Sequence, residues 1–158
     1  MRWYLFGAQA AIVHGSARLS ADVDVTVELV ATPVGALIDA LERHGFRTRV
    51  ADAARFADDN RVLPVEHATA GMPLDIVLAG PGLEELFLDQ AEPREVAGVR
   101  IPVARAEHIV IMKILAGRPK DLDDASAIIA AQADRLQIAD IEQGLELLEQ
   151  ALSCTVRG

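Results

Sequence analysis

Residues 18–30 read RLSADVDVTVELV, with strict alternation of polar and apolar side chains from Asp22 to Leu29. Successive side chains of a β-strand point to opposite faces of the sheet, so this period predicts a half-buried strand over residues 22–30. Asp22 and Asp24 would leave the same face about 6.5 Å apart, because a strand rises about 3.3 Å per residue. The pattern predicts two neighbouring carboxylates at the start of a strand, although the wet side of any amphipathic strand would show the same spacing.

The chain before this strand predicts another strand followed by a short helix. Residues 3–6 form an apolar run, Gly7 breaks it, and residues 8–14 contain good helix formers that end at Gly15. The N-terminus of a helix presents unpaired backbone N–H groups and the positive end of the helix dipole. Gly7 is therefore a candidate phosphate-binding turn, with an ordinary strand-to-helix turn as the alternative.

A third carboxylate, Asp75, lies inside the apolar run at residues 74–79, which predicts a buried strand. A carboxylate buried without a partner is costly, so a cation is expected beside Asp75. That cation is either the guanidinium of an arginine or a metal ion shared with Asp22 and Asp24. Carboxylate oxygens suit Mg²⁺, with Mn²⁺ as an alternative, and two such ions about 3.5–4 Å apart are typical of phosphate chemistry.

The remaining segments predict a mixed sheet followed by helices. Thr32 is the expected N-cap, and Pro33 the first residue, of a helix that ends near Arg43. Further strands are predicted at 46–50, 61–67, 94–96 and 99–103, further helices at 83–90, 105–116, 122–134 and 138–152, and a polar connection at 51–60. The expected fold class is α+β in a single domain over residues 1–158, with a core at about 1–104 and a helical C-terminal part at about 105–152.

The composition is that of an ordinary globular protein. The chain has 158 residues, a net charge of −9 and a pI near 4.8, which disfavours a long nucleic acid as ligand, because phosphate binding favours a basic face. Cys154 is the sole cysteine, so an internal disulfide is excluded and a reducing, cytoplasmic compartment is expected. The apolar run at residues 3–13 loosely resembles a secretory signal, but Gln9 interrupts it and it is too short to span a membrane.

Four segments together resemble the AbiEii-type nucleotidyltransferases of the DNA polymerase beta superfamily. They are Gly7-Ala8-Gln9-Ala10, Arg18-Leu19-Ser20-Ala21-Asp22-Val23-Asp24-Val25, Met72-Pro73-Leu74-Asp75-Ile76-Val77 and Lys113-Ile114-Leu115-Ala116-Gly117-Arg118-Pro119-Lys120-Asp121-Leu122-Asp123-Asp124. The last resembles the closing Lys-x-x-Ala-x-Arg-x-Lys-Asp-x-x-Asp motif of that family. Ala8 departs from the family pattern, which usually has Gly or Ser there. The resemblance implies a polymerase-beta-like nucleotidyltransferase core.

The resemblance also implies roles for the matched residues. Asp22, Asp24 and Asp75 would be catalytic and would bind Mg²⁺, and Asp75 would help to deprotonate the attacking hydroxyl. Lys113 would be a catalytic residue that neutralises phosphate charge, and Asp121 would orient Lys113 or Arg18. The residues expected to bind the nucleoside triphosphate are Gly7, Ala8, Arg18, Ser20, Lys113 and Asp121.

The expected activity is metal-dependent transfer of a nucleoside monophosphate from a nucleoside triphosphate to an acceptor hydroxyl. The acceptor stays open between an RNA end, a protein and a small molecule such as an antibiotic. An RNA acceptor would fit a toxin with a cognate antitoxin partner, as in some relatives of the family. A catalytically silent member that binds a nucleotide or a partner protein is the alternative of another class, and a structural domain with surface acids is a third. No membrane partner is expected.

Overall fold

One mixed β-sheet covered by helices forms the centre of the fold. The structure is a computed structural model that describes the backbone of residues 1–155 and the side chains of residues 1–150. In that part of the chain the strands are β1 (Trp3–Phe6), β2 (Val23–Val27), β3 (Phe46–Thr48), β4 (Val62–His67), β5 (Met72–Leu78), β6 (Glu92–Val96) and β7 (Val99–Val103). The helices are α1 (Gly7–Val13), α2 (Val34–Arg43), α3 (Ala53–Asn60), α4 (Leu83–Asp89), α5 (Ala106–Ala116), α6 (Pro119–Gln132) and α7 (Ile138–Thr155). This architecture confirms the expected α+β class with a helical C-terminal part.

The central position in the sheet belongs to β2. The strand order is β3-β4-β5-β2-β1-β7-β6, and β2 is antiparallel to β1 but parallel to β5. The register pairs Asp24 with Phe6 on one side and with Asp75 on the other. Because neighbouring strands lie about 4.8 Å apart, this pairing places the roots of the two carboxylates side by side on one face.

Two apolar clusters stabilise the sheet. The larger cluster joins β1 and β7 to α1, α4, α5, α6 and the N-terminal half of α7, and the smaller joins β2, β4 and β5 to α2 and α3. Thr26, on the predicted polar face of β2, is consequently only 2% exposed, and it hydrogen-bonds to the hydroxyl of Tyr4. The prediction of a half-buried strand over residues 22–30 was therefore wrong in two respects. The strand β2 ends at Val27, and its central position in the sheet buries part of the face that was expected to be exposed to solvent.

Two local predictions were also wrong. The predicted polar connection at residues 51–60 is largely the helix α3, whose Ala53 and Ala57 are buried. These two alanines are four residues apart and share one helix face, but the surrounding polar residues hide that periodicity. Pro33, not Thr32, is the N-cap of α2, and the Thr32 hydroxyl donates a hydrogen bond to the Val30 carbonyl instead.

At helical spacing, the sequence of the last helix predicts one apolar stripe of Ile138, Ile141, Leu145, Leu148 and Leu152, and the structure follows it only in part. Ile141 is buried, Leu145 and Leu148 pack against the larger cluster, and Ile138 is 49% exposed. The predicted stripe residue Leu152 lies outside the residues whose side chains are described, as does Cys154. None of the described helices combines the length and apolarity that crossing a membrane requires.

Gly7 joins β1 to α1 at a position that only glycine suits. Its φ is +66°, a left-handed conformation that side-chain-bearing residues rarely adopt. A Cβ atom at Gly7 would lie 2.0 Å from the Asp24 Oδ2 atom. The glycine is therefore required by the backbone and by the close approach of the Asp24 carboxylate.

Substituting Gly7 should reveal this double requirement. We expect Gly7→Ala to lower the melting temperature by at least about 4 °C, because the left-handed conformation costs a non-glycine residue roughly 1–2 kcal/mol before the clash with Asp24 is counted. Gly35→Ala is the matched control, since nothing lies within 4 Å of a Cβ at that α2 position. Calorimetry or thermal melts measure both variants, and equal melting temperatures would contradict the structural account.

Candidate active site

A cavity of about 340 Å³ opens between the sheet and the helices α5 and α6. All nine residues predicted from the sequence to form the site line this one cavity. The lining consists of Phe6, Gly7, Ala8, Arg18, Ser20, Asp22, Asp24, Asp75, Ile109, Met112, Lys113, Ala116, Arg118, Lys120 and Asp121. One side of the cavity is an acidic wall formed by Asp22, Asp24 and Asp75. The positively charged side chains of the lining belong to α5, to α6 and its N-cap, and to the segment between α1 and β2.

Asp24 is the most buried acid of the acidic wall. Burial raises the pKa of its carboxyl, and the negative charges of Asp75 and Asp22 raise it further. Lys113 and a hydrogen bond from the Ala8 backbone N–H act in the opposite direction. Ala8, expected from the resemblance to bind the nucleotide, thus lies at the beginning of α1 with its N–H group lowering the pKa of Asp24.

Asp22 and Asp75 are more accessible than Asp24. Asp22 precedes β2 and is exposed, and the Asp75 side chain is 40% exposed, so the predicted burial of Asp75 was wrong. Asp75 Oδ1 accepts a hydrogen bond from Arg49 Nη2. The sequence left either an arginine or a metal ion as the cation beside Asp75. In the structure, an arginine lies there.

Lys113 forms the centre of a buried ionic network on the other side of the cavity. The lysine is 7% exposed, and its Nζ lies 3.1 Å from Asp121 Oδ1 and 2.8 Å from Asp124 Oδ2. Arg118, at the beginning of α6, donates to Asp121 as well. Lys113 is thus buried and paired. The more exposed cations of the cavity are Arg118, Lys120 and Arg18.

Asp124 was missed as a site residue by the sequence reasoning. Arg18 Nη2 lies 3.1 Å from its Oδ2 atom, and the Ser16 hydroxyl donates to its Oδ1 atom at 2.8 Å. Of the two cations that Asp121 was expected to orient, it contacts Lys113, whereas Arg18 pairs with Asp124. Asp121 and Asp124 are three residues apart and share one helix face, which is the signal that would have grouped them.

The acidity of Asp124 reflects this network. Burial by itself would raise the pKa of the Asp124 carboxyl, but hydrogen bonds from Arg18, Lys113 and Ser16 outweigh burial and hold the pKa at about 2. The pKa of Asp121 is also lowered, first by Arg118 and then by Lys113. Both acids are therefore ionised at neutral pH, and together they neutralise Lys113.

The donor chemistry of the acidic wall fits a hard divalent cation. Three carboxylates face one cavity, and burial together with the negative charges of Asp75 and Asp22 raises the pKa of Asp24; a bound cation would relieve that repulsion. Within the described residues, however, no three His, Cys, Asp or Glu side chains are arranged to hold a metal ion as they stand. The residues fit the ion by type and location, and side-chain movement has to complete the arrangement.

Comparison with solved structures identifies the same architecture in nucleotidyltransferases. The chain superposes on the antibiotic-resistance factor ANT(2'')-Ia with a TM-score of 0.63 and 16% identity, over 99% of this chain and 86% of that one. This chain has the nucleotidyltransferase fold. A structure of ANT(2'')-Ia in complex with adenylyl-2''-tobramycin gives a TM-score of 0.58 at 16% identity, over 96% of this chain and 88% of that one.

Two other proteins share this fold. The lincosamide antibiotic adenylyltransferase LnuA, bound to lincomycin, matches with a TM-score of 0.55 and 16% identity over 82% of this chain and 86% of its own. An antigenic nucleotidyltransferase-like protein from Paracoccidioides brasiliensis matches with a TM-score of 0.57 and 16% identity over 94% and 79%, respectively. No protein-family profile and no curated protein matches the sequence.

Neutralising Asp24 should stabilise the metal-free protein. Burial and the charges of Asp75 and Asp22 raise the pKa of Asp24 in the folded state, which means that the ionised carboxylate destabilises the fold at neutral pH, so Asp24→Asn should raise the melting temperature. The gain should shrink as the pH falls into the range in which Asp24 of the wild type becomes protonated. Thermal melts in chelator measure this effect, with Asp39→Asn, an exposed acid on α2, as the control that should change little.

Acid should weaken the ionic network through Asp124. Its pKa falls from 3.8 to about 2 in the folded state, so its contribution of about 2 kcal/mol is present above pH 4 and is lost as the pH falls from about 4 to 2. Urea denaturation should show a steeper loss of stability in this range for the wild type than for Asp124→Asn. Asp123→Asn, the exposed neighbour on α6, should retain the wild-type slope, and equal slopes in all three proteins would refute the assignment.

Proposed function

We propose that this protein is a metal-dependent nucleotidyltransferase that transfers a nucleoside monophosphate from a nucleoside triphosphate to an acceptor hydroxyl. One observation carries the proposal, namely that a single cavity combines the acidic wall with an opposing set of cations. Carboxylates attract divalent cations, and the basic side chains Arg18, Arg118 and Lys120 suit the anionic oxygens of a polyphosphate. A cavity built only for a cationic ligand would not need these three side chains.

The proposed reaction uses both the acidic wall and the cations opposite it. The oxygen of the acceptor hydroxyl attacks the α-phosphorus, the bond between that phosphorus and the bridging oxygen to the β-phosphate breaks, and pyrophosphate leaves. We assign the hydroxyl proton to Asp75, the more accessible of the two paired strand acids. Arg118 and Lys120, at the beginning of α6, are placed to stabilise the negative charge of the departing pyrophosphate, since fixed cations lower the energy of such a transition state.

The divalent cation would be held by Asp22, Asp24 and Asp75. When bound, Mg²⁺ or Mn²⁺ would stabilise charge on the attacking and leaving oxygens and orient the triphosphate. Lys113 contributes indirectly in this proposal, because its ammonium group holds Asp121 and Asp124, which in turn hold Arg118 and Arg18. The buried network would thus keep the two arginines at the cavity in fixed positions.

A small molecule is the acceptor that we favour. The chain matches ANT(2'')-Ia over nearly its whole length, including the helical C-terminal part, and related structures contain adenylyl-2''-tobramycin and lincomycin. The net charge of −9 also suits a neutral or cationic small molecule better than an RNA. Transfer to an RNA end, in the manner of an AbiEii-type toxin with an antitoxin, is the alternative acceptor class, and a protein acceptor is the third.

The decisive experiment is label transfer from the four α-labelled nucleoside triphosphates in the presence of Mg²⁺ or Mn²⁺. Acceptor pools are an aminoglycoside and lincosamide panel, total RNA, and cell extract separated into protein and small molecules. We expect labelled product with the wild type in the small-molecule pool. We expect Asp24→Asn to transfer label at least about 100-fold more slowly than the wild type, because the substitution removes a central acid of the proposed metal site.

Controls separate the competing functions. Asp39→Asn, far from the cavity on α2, should transfer label at the wild-type rate. Label that appears only in the RNA pool would show that the acceptor is RNA, as in the toxin-like activity, and not a small molecule. Nucleotide binding without transfer in any pool would favour a silent binding protein, and the absence of both nucleotide and metal binding would overturn the proposed function.

A further inference from the structure

Arg49 contacts the acidic wall from outside the cavity. It directly follows the edge strand β3, and its Nη2 atom donates to Asp75 Oδ1. Arg49 is absent from the cavity lining, so it approaches Asp75 from the β4 side of the sheet. Among the described side chains, it is the only cation bonded to any of the three acids of that wall.

The guanidinium of Arg49 is held by β4. Its backbone N–H donates to the Pro64 carbonyl at 3.0 Å, and its Nε donates to the Val65 carbonyl at 3.1 Å. Pro64 is itself the register partner of Asp75. Arg49 is therefore held at its backbone N–H and at Nε, whereas the Asp75 side chain has no other hydrogen bond among the described residues.

The Arg49 contact bears on how the acidic wall could form a metal site. Asp24 and Asp75 are in register on adjacent parallel strands, so their carboxylates have the spacing to share a cation. The described acids nevertheless present no three-ligand arrangement, and the Asp75 carboxylate is engaged by the anchored arginine. A cation that took Asp75 Oδ1 as a ligand would have to displace Arg49 from that oxygen.

We propose that Arg49 is a built-in competitor of the metal ion, which holds the Asp75 carboxylate in the metal-free protein and must release it before the site can form. This inference rests on the proposed metal-dependent function and adds a regulatory contact to it. Metal binding then includes the breaking of one ion pair. A pair of this exposure contributes up to about a fivefold change in an equilibrium constant, so Arg49 lowers the metal affinity of the site by a factor of that size.

The test is direct binding of Mn²⁺, followed by the loss of its free-ion paramagnetic resonance signal, without nucleotide and without any activity assay. We expect Arg49→Gln to bind Mn²⁺ about fivefold more tightly than the wild type. Removing any positive charge near the site would also strengthen the binding of a cation. Arg47→Gln removes such a charge without removing the bond to Asp75, so it is the matched control. Arg47 lies on β3 two residues earlier and pairs with Glu66, and its removal should change the affinity much less.

The outcomes distinguish this inference from the proposed function. Equal or weaker Mn²⁺ binding by Arg49→Gln, or an equal gain in Arg47→Gln, would overturn the competition while leaving nucleotidyl transfer intact. No Mn²⁺ binding by the wild type or by Arg49→Gln would overturn both the competition and the metal site. Retention of the fivefold difference at high salt would support a direct ion pair, because screening weakens long-range attraction more than close contact.

Discussion

Repulsion between Asp24 and Asp75 is the constraint on which the candidate site depends. Parallel pairing of β2 with β5 sets these two carboxylates side by side, and the apolar clusters on the sheet prevent the strands from separating to relieve the repulsion. The raised pKa of Asp24 follows from its burial and from the neighbouring Asp75 and Asp22. Such an arrangement opposes stability in the isolated chain and suits a site that is completed by a cation.

Other features of the structure reduce the cost of this arrangement. The Ala8 N–H lowers the pKa of Asp24, Arg49 hydrogen-bonds to Asp75, and Gly7 leaves room for the Asp24 carboxylate. Each contact involves a different strand or turn around the same pair of acids. The glycine turn consequently serves the carboxylate first, and any contact with a phosphate would come in addition.

The helical C-terminal part is an integral half of the site. Lys113 on α5 and Asp121 and Asp124 on α6 form a buried network, which extends to Arg18 and Ser16 in the segment between α1 and β2. The acidic wall thus comes from the sheet, whereas the opposing cations are held mainly by helices. This cavity forms where these two regions pack together, and the match to ANT(2'')-Ia extends over nearly the whole chain.

The sequence by itself determined which residues meet. The alternation around Asp22 and Asp24, the apolar run around Asp75 and the family resemblance of residues 7–10, 18–25, 72–77 and 113–124 identified nine residues that line one cavity, because strand period and motif spacing are local properties. Only the tertiary structure decided the partners of these side chains. Arg49 at Asp75 and Asp124 at Arg18 are separated by 26 and 106 residues in the chain, and no local pattern encodes a contact made by strand order and helix packing. For the same reason the burial of Thr26 and the exposure of Asp75 followed from their places in the sheet, which the alternation of their own strands did not reveal.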